Sequence, residues 1–330
     1  MFKKRLLASL PVCLLVGCFA RVSVSAETLR IAYPSAAVVF LPLWAALDAG
    51  FFKKQNLVVE LVSIRSSPIA MTALLAGEVD VIVGGANPSI ALQLQGYKDV
   101  AIFAGLINRF LFSIYSQPGI EQLAQLKGKR LGVTRFGGSN DFAGRYFLRQ
   151  RGIDPTKDLT MIQVGSQDDI FRALLAKNLD AGVLGYPAVY VAKKNGLREL
   201  ADLSQSGLRY QLTAFVAKRS FLAEKQALMT RVFRALAESI YFLRTQPKEG
   251  MAITKRYVRI DDPNILAAAY DFHVKLFPRL PEIQPEDLKL VIEEIAATNP
   301  KARGVDPAVF IDDRIAMEVQ RSGFVDQLYR

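Results

Sequence analysis

ALLAGEVDVIVGGANP, residues 73–88, returns as ALLAKNLDAGVLGYP, residues 173–187, with Ala-Leu-Leu-Ala, an Asp, a Val and a Gly coinciding at an offset of 100. Beyond that glycine, Asn87-Pro88 and Tyr186-Pro187 correspond after a shift of one residue. A shared run of Ala and Leu arises readily in helices, so the weight of the echo lies in the order of strands, caps and glycines around it. Upstream, LRIAYP (29–34) alternates like a strand and leads into a helical run, 42–49, that stops at Gly50, a residue type suited to closing a helix. Residues 57–64 read as a second strand; Ser67 then caps a helix with Pro68 at its first position, ending near Gly77. A third strand, 79–83, runs into Gly84-Gly85-Ala86, after which Asn87 caps a helix from Pro88 to Gly96. In the second unit a strand at 130–134, a helix at 140–151 before Gly152 and a strand at 159–164 keep the same order, with Ser166 and Asp169 as a capping box.

Each unit is therefore βαβαβα, and the chain is expected to be α/β, with two mostly parallel sheets covered by helices. Ligands bind off the carboxyl ends of strands in such sheets, so two facing sheets make a cleft. FLFSIYSQP (110–118), within a link spanning 100–127, and the stretch 210–218 read as two extended crossings between the units. From Leu222 onward the pattern is helical, with Leu228, Val232, Ala235, Leu236, Ile240 and Leu243 on one face, expected to pack on the first lobe. The division drawn from this is 27–112 plus 218–330 for one lobe and 113–217 for the other, with two crossings as the hinge.

The first 26 residues have the layout of a secretory leader: Lys3, Lys4 and Arg5 precede an apolar stretch from Leu6 to Val16. Two processing sites compete. Val24-Ser25-Ala26 suits cleavage before Glu27, whereas Leu15-Val16-Gly17-Cys18 reads as a lipobox, ending the leader at residue 17 and lipidating Cys18. The expected location is the periplasm, or the outer face of the cytoplasmic membrane if Cys18 carries lipid. Cys13 and Cys18 are the only cysteines, so the mature body has no disulfide, thiol nucleophile or cysteine metal site. Four basic residues fall in the leader, which leaves 38 Lys and Arg against 31 Asp and Glu and lowers the formal charge from +11 to +7. These basic residues form no run and carry no stacking aromatics, which argues against nucleic acid as a partner.

The segments LRIAYP, FLPLWAALDAGFFKKQNLVVELV, SSPIAMTALLAGEVDVIVGG and KGKRLGVTRFGGSNDFAGRYFLRQRGID resemble the nitrate/sulfonate/taurine-type substrate-binding proteins of ABC importers, including relatives that bind a thiamine pyrimidine precursor. The resemblance runs over most of the mature chain. It implies a two-lobed type II periplasmic-binding-protein fold, no enzymatic activity and no cofactor. The partners it implies are a small-molecule solute, a membrane permease and an ATP-hydrolysing subunit, the binding protein itself acting as a monomer. The solute stays open: sulfonates, nitrate, bicarbonate, pyrimidines and aromatic acids all occur in the family.

Candidate ligand contacts collect at strand ends beside helix starts, where free N–H groups and a partial positive charge favour anions. Arg135-Phe136-Gly137-Gly138-Ser139-Asn140 is the strongest candidate: Arg135 offers a fork to a carboxylate or sulfonate, and Gly138, Ser139 and Asn140 bring the backbone close. On the first unit Tyr33 and Ser35 follow the first strand, Ser67 the second and Asn87 the third, with Phe40 as a weaker aromatic contact. Tyr186 takes the place of Asn87 in the second unit. Arg65 and Arg109 are candidates for the cleft mouth. The lone histidine, His273, set in the distal helical region, reads as a partly buried helix residue rather than a ligand, and Asp168-Asp169 and Asp261-Asp262 read as helix-start charges. The glycine loops match neither the P-loop nor the dinucleotide fingerprint, and no histidine–carboxylate grouping is spaced for zinc. An enzyme related to pyrimidine-precursor synthesis and a binding lobe serving a signalling partner are the alternatives.

Overall fold

The computed structural model describes residues 28–186, 188–297 and 299–330. The leader, Cys13 and Cys18, and Pro187 lie outside the described residues. The strands are β1 Thr28–Tyr33, β2 Val58–Ser63, β3 Val81–Gly84, β4 Val100–Arg109, β5 Phe112–Ser116, β6 Arg130–Val133, β7 Thr160–Gln163, β8 Ala181–Gly185, β9 Arg198–Asp202 and β10 Arg209–Lys218. They form two five-stranded sheets, ordered β2-β1-β3-β10-β4 and β7-β6-β8-β5-β9. In each, four strands share one direction and the fifth, β10 in the first sheet and β5 in the second, runs antiparallel to both of its neighbours. The sheets are thus mixed, because a strand arriving directly from the other lobe enters against the direction of its neighbours.

The duplication is physical as well as textual. Asp80 accepts the Arg30 backbone N–H at 2.8 Å, and Asp180 accepts that of Arg130 at the same distance. Each aspartate thus satisfies an interior strand's N–H just before the ladder with the neighbouring strand begins. The Ser67 hydroxyl accepts from Gly85 N at 3.1 Å, and Gln167 Oε1 accepts from Gly185 N at 2.9 Å. One position further breaks the match: Gly77 closes its helix at φ +76°, whereas its counterpart Lys177 takes φ +58° with a full side chain. A left-handed non-glycine residue is strained, so Lys177→Gly should raise stability by about 1 kcal/mol in chemical denaturation, less a few tenths for the more flexible unfolded chain.

Several sequence-based boundaries move. The second helix is Ser67–Ala76 with Ser66, not Ser67, at the cap, and Pro68 one position inside. The third begins at Ala86 after Gly85, so Asn87 lies in its first turn and caps nothing. The helix placed at 140–151 is Ser139–Arg149. Ser166 does form the capping box with Asp169, and Asp262 caps the helix Pro263–Val274. The second sheet closes with Asp202 and β10 belongs to the first, so the boundary at 217/218 falls inside a strand of the first lobe and moves back to the 203–208 connection.

Only Phe110 and Leu111 separate β4 from β5. Phe110 stacks on Tyr210 at 4.4 Å and Tyr210 on Phe142 at 5.2 Å, so the outgoing and returning chains are joined by buried aromatic rings. The helix Gln226–Thr245 buries Leu228, Val232, Ala235, Leu236, Ile240 and Leu243 against first-lobe helices, as its periodicity predicts. No helix among the described residues is long and apolar enough to cross a membrane.

Candidate ligand cleft between two sheets

A cavity of about 100 Å³ lies between the lobes, lined by loops at the carboxyl ends of strands in both sheets. It opens into a wider vestibule of about 710 Å³ that shares Ser35, Arg65, Ser166, Gln167 and Tyr186 with it. Of the candidates, Ser35, Phe40 and Ser67 reach the cavity from the first lobe, and Gly138, Ser139, Asn140 and Tyr186 from the second. Two units matched only by sequence spacing thus face one space.

Four candidates are placed elsewhere. Tyr33 is buried, its ring against Phe40 at 5.8 Å and Trp44 at 5.9 Å, and serves the core. Asn87 is consumed by an interlobe contact: its amide donates to Gly137 O, while its carbonyl oxygen accepts from Tyr210 OH at 2.8 Å and from Ser139 Oγ at 3.4 Å. Arg135 does not line the cavity, and the Gly138 N–H is spent on Arg135 O at 3.0 Å. The loop is held from the helix that follows it: Asn140 Oδ1 accepts from Thr134 N at 2.9 Å, and Asp141 accepts from Gly137 N at 2.9 Å. Such anchoring fixes the backbone and leaves Arg135 outside. Arg109 is exposed beside Arg209 in the β4–β10 ladder, also away from the cavity.

Arg65, just after β2, brings a guanidinium to both the cavity and the vestibule. The helices that start at Ser67, Ser139 and Gln167 open onto the same space with their first N–H groups, which carry partial positive charge. Phe40, Leu111, Phe112 and Leu212 supply apolar wall.

The lobes touch across the cleft. Tyr186 stacks on Phe272 at 4.9 Å and meets His273 edge-on at 5.7 Å, and burial pushes its hydroxyl up to about 12. Lys194 Nζ donates to Asp262 at 3.0 Å, holding that carboxyl below the usual carboxylate range together with the N–H groups it caps. At Gly85 the approach is tightest: a Cβ there would lie 1.9 Å from Ser139 Oγ and 2.9 Å from Asn87 Oδ1.

His273 corrects the sequence reading. It is a helix residue, as expected, but fully buried rather than partly so, and it lines the cavity. The helix 263–274 folds back against residues 38–40 and the helix Gln226–Thr245, which carries the imidazole to the cleft. The available signal was a histidine within the apolar stretch Phe272-His273-Val274, but the docking that gives it meaning is tertiary. Ser66, Thr134 and Thr213 were likewise missed as lining residues. Among the described residues, no group of three or more His, Cys, Asp or Glu is placed to hold a metal ion.

Comparison with known proteins follows the same lines. The family model described as NMT1/THI5 like matches residues 37–250. YtlA of Bacillus subtilis (strain 168), whose name assigns a binding role and no ligand, is 28% identical over 211 residues; the match spans 63% of this chain and 63%, just under two thirds, of YtlA. The 4-amino-5-hydroxymethyl-2-methylpyrimidine phosphate synthase of Schizosaccharomyces pombe is 27% identical over 149 residues, 43% of this chain and 40% of that one. The alkanesulfonate-binding protein SsuA from Xanthomonas axonopodis pv. citri, solved bound to MOPS, superposes with a TM-score of 0.72 over 86% of this chain and 98% of its own, at 18% identity. At that identity the likeness establishes the fold, which is the α/β, two-lobed periplasmic-binding-protein fold. With the family model matched across more than half of its length, the chain belongs to the NMT1/THI5-like family.

Proposed function

We propose that this protein is the extracytoplasmic solute-binding subunit of an ABC importer, capturing a small organic acid between its lobes and presenting the closed form to a permease and its ATP-hydrolysing partner. The observation that carries the reading is the cavity enclosed by strand-end loops of both sheets. A ligand there touches both lobes, so its binding energy favours closure. The leader layout supports a periplasmic location, or one on the outer face of the cytoplasmic membrane through a lipidated Cys18, with the protein acting as a monomer. Within the cavity, Arg65 and the helix starts at Ser67, Ser139 and Gln167 supply the groups for the acid, and Phe40 and Phe112 flank the apolar body.

A thermal-shift screen of the mature protein against small sulfonates, carboxylates, nitrate and pyrimidines tests the reading, since a ligand of the folded state raises Tm by mass action. No shift with any of them, and no small molecule carried by protein from its native envelope, would sink it. Arg65→Ala should weaken the acidic ligand found in this way by roughly tenfold or more, as expected for losing one charge-assisted bond, while Arg135→Ala leaves affinity unchanged. Calorimetric titration separates the two variants. Catalysis of the kind named for the yeast relative is the second reading. It would require a reactive group in the cleft, and the imidazole there is buried and neutral.

A further inference from the structure

We propose that the solute carries an N–H or O–H donor that His273 Nε2 accepts, so that the cavity selects donor-bearing acids over acids able only to accept. This rests on reading the cavity as the solute site. His273 is fully buried and lines the cavity. Its Nδ1 lies 2.7 Å from Ala269 O. A carbonyl oxygen only accepts, so Nδ1 carries the proton. The neutral imidazole then holds its lone pair at Nε2. That atom is shielded from solvent and has no hydrogen-bond partner. Burial lowers the imidazole to about 4, which keeps it neutral at physiological pH.

A second unpartnered group supports the same conclusion. Ser66 Oγ is buried, lines the cavity and has no partner. Unmet polar atoms at one cavity are costly unless a ligand supplies the missing bonds. Ser66 can either donate or accept, whereas neutral His273 with Nδ1 engaged can only accept. Nitrate and a simple alkanesulfonate offer no donor to it. An amino or hydroxy acid does, with its acid toward Arg65 and the helix starts and its donor toward the Phe40–Tyr186–His273 end. Tyr186 and Phe272, stacked on each other, both meet the imidazole at near right angles.

Because His273 is the sole histidine, tag-free protein labelled with nitrogen-15 histidine gives one imidazole to read. At pH 7 the expected spectrum has Nδ1 protonated and Nε2 bare; a proton on Nε2 overturns the inference. Matched probes test selectivity by calorimetry: taurine against ethanesulfonate, and 4-hydroxybenzoate against benzoate. The donor-bearing member of a pair should bind the parent about tenfold or more tighter, and His273→Phe should erase that margin. Equal affinity within each pair, or a margin that survives His273→Phe in a folded variant, overturns the inference. If none of the four probes binds, mass spectrometry of small molecules eluted from native-envelope protein replaces them. A captured solute lacking N–H and O–H overturns the inference, and one bearing either supports it if His273→Phe fails to retain it and counts against it if retained. An empty parent protein instead sinks solute capture itself.

Discussion

Gly85→Ala should weaken solute capture about tenfold while leaving the folded lobes intact. The new methyl would occupy the point 1.9 Å from Ser139 Oγ and 2.9 Å from Asn87 Oδ1, where the third-strand loop of one lobe meets the helix start of the other. Rotating the Ser139 hydroxyl away relieves the shortest contact but gives up its bond to Asn87, and Asn87 Oδ1 and Ser139 Cβ, at 3.3 Å, still crowd the methyl, so the lobes must part slightly. Parting them also breaks the Asn87 bonds to Gly137 and Ser139. A closed state destabilised by about 1.4 kcal/mol costs about tenfold in affinity. The double variant Gly85→Ala, Ser139→Gly removes the obstructing hydroxyl and should recover most of the loss. Unchanged affinity for Gly85→Ala in calorimetry would mean that binding does not need this interlobe contact.

The second large effect is on acid stability. His273 is near 4 in the folded protein and near its ordinary 6.5 when unfolded. Between those values the unfolded chain holds the additional proton, so stability falls as pH falls. The contribution is fully present above about 6.5 and lost progressively toward about 4, up to about 3 kcal/mol. Facing the ring are Tyr186 and Phe272, neither of which titrates in this window. Urea denaturation from pH 7 to pH 4.5 should show this extra loss in the parent and not in His273→Phe. Parallel curves for the two proteins would show that His273 takes up no proton on unfolding.

The duplicated architecture was legible in the sequence because the aspartate and the strand N–H it meets keep the same spacing of 50 residues in both units, and the capping pair is local to one helix start. Asp80 and Asp180 meet backbone N–H groups of Arg30 and Arg130, and Ser166 and Asp169 cap each other within one turn. Cap assignments failed by one residue where two serines adjoin: Ser66 takes the cap and frees Ser67 to accept from Gly85, a choice that depends on the neighbouring strand. The candidate cleft was legible as a region and less so as residues. Strand-end position brought Ser35, Ser67, Ser139, Asn140 and Tyr186 to the cavity. Whether a side chain points inward is decided by partners distant in sequence, as Tyr210 does for Asn87. For Arg135, glycines and a helix start were read as an anion cradle, but the following helix spends its own side chains on that loop.

The position of β10 also dictates an order of assembly. As the chain emerges from its amino end, every strand of the second sheet is available once Asp202 has appeared, whereas the first sheet still lacks its fourth member. Until residues 209–218 follow, β3 and β4 have no common neighbour, and the apolar edge of Val81–Gly84 stands open. The segment begun first is therefore completed last, and an unfinished edge of this kind is where a partly made chain is prone to pair with the wrong strand. The brevity of the Phe110-Leu111 connection then has a use in biogenesis: the finished second lobe is tethered beside the gap that β10 must fill, so the closing strand is delivered next to its slot.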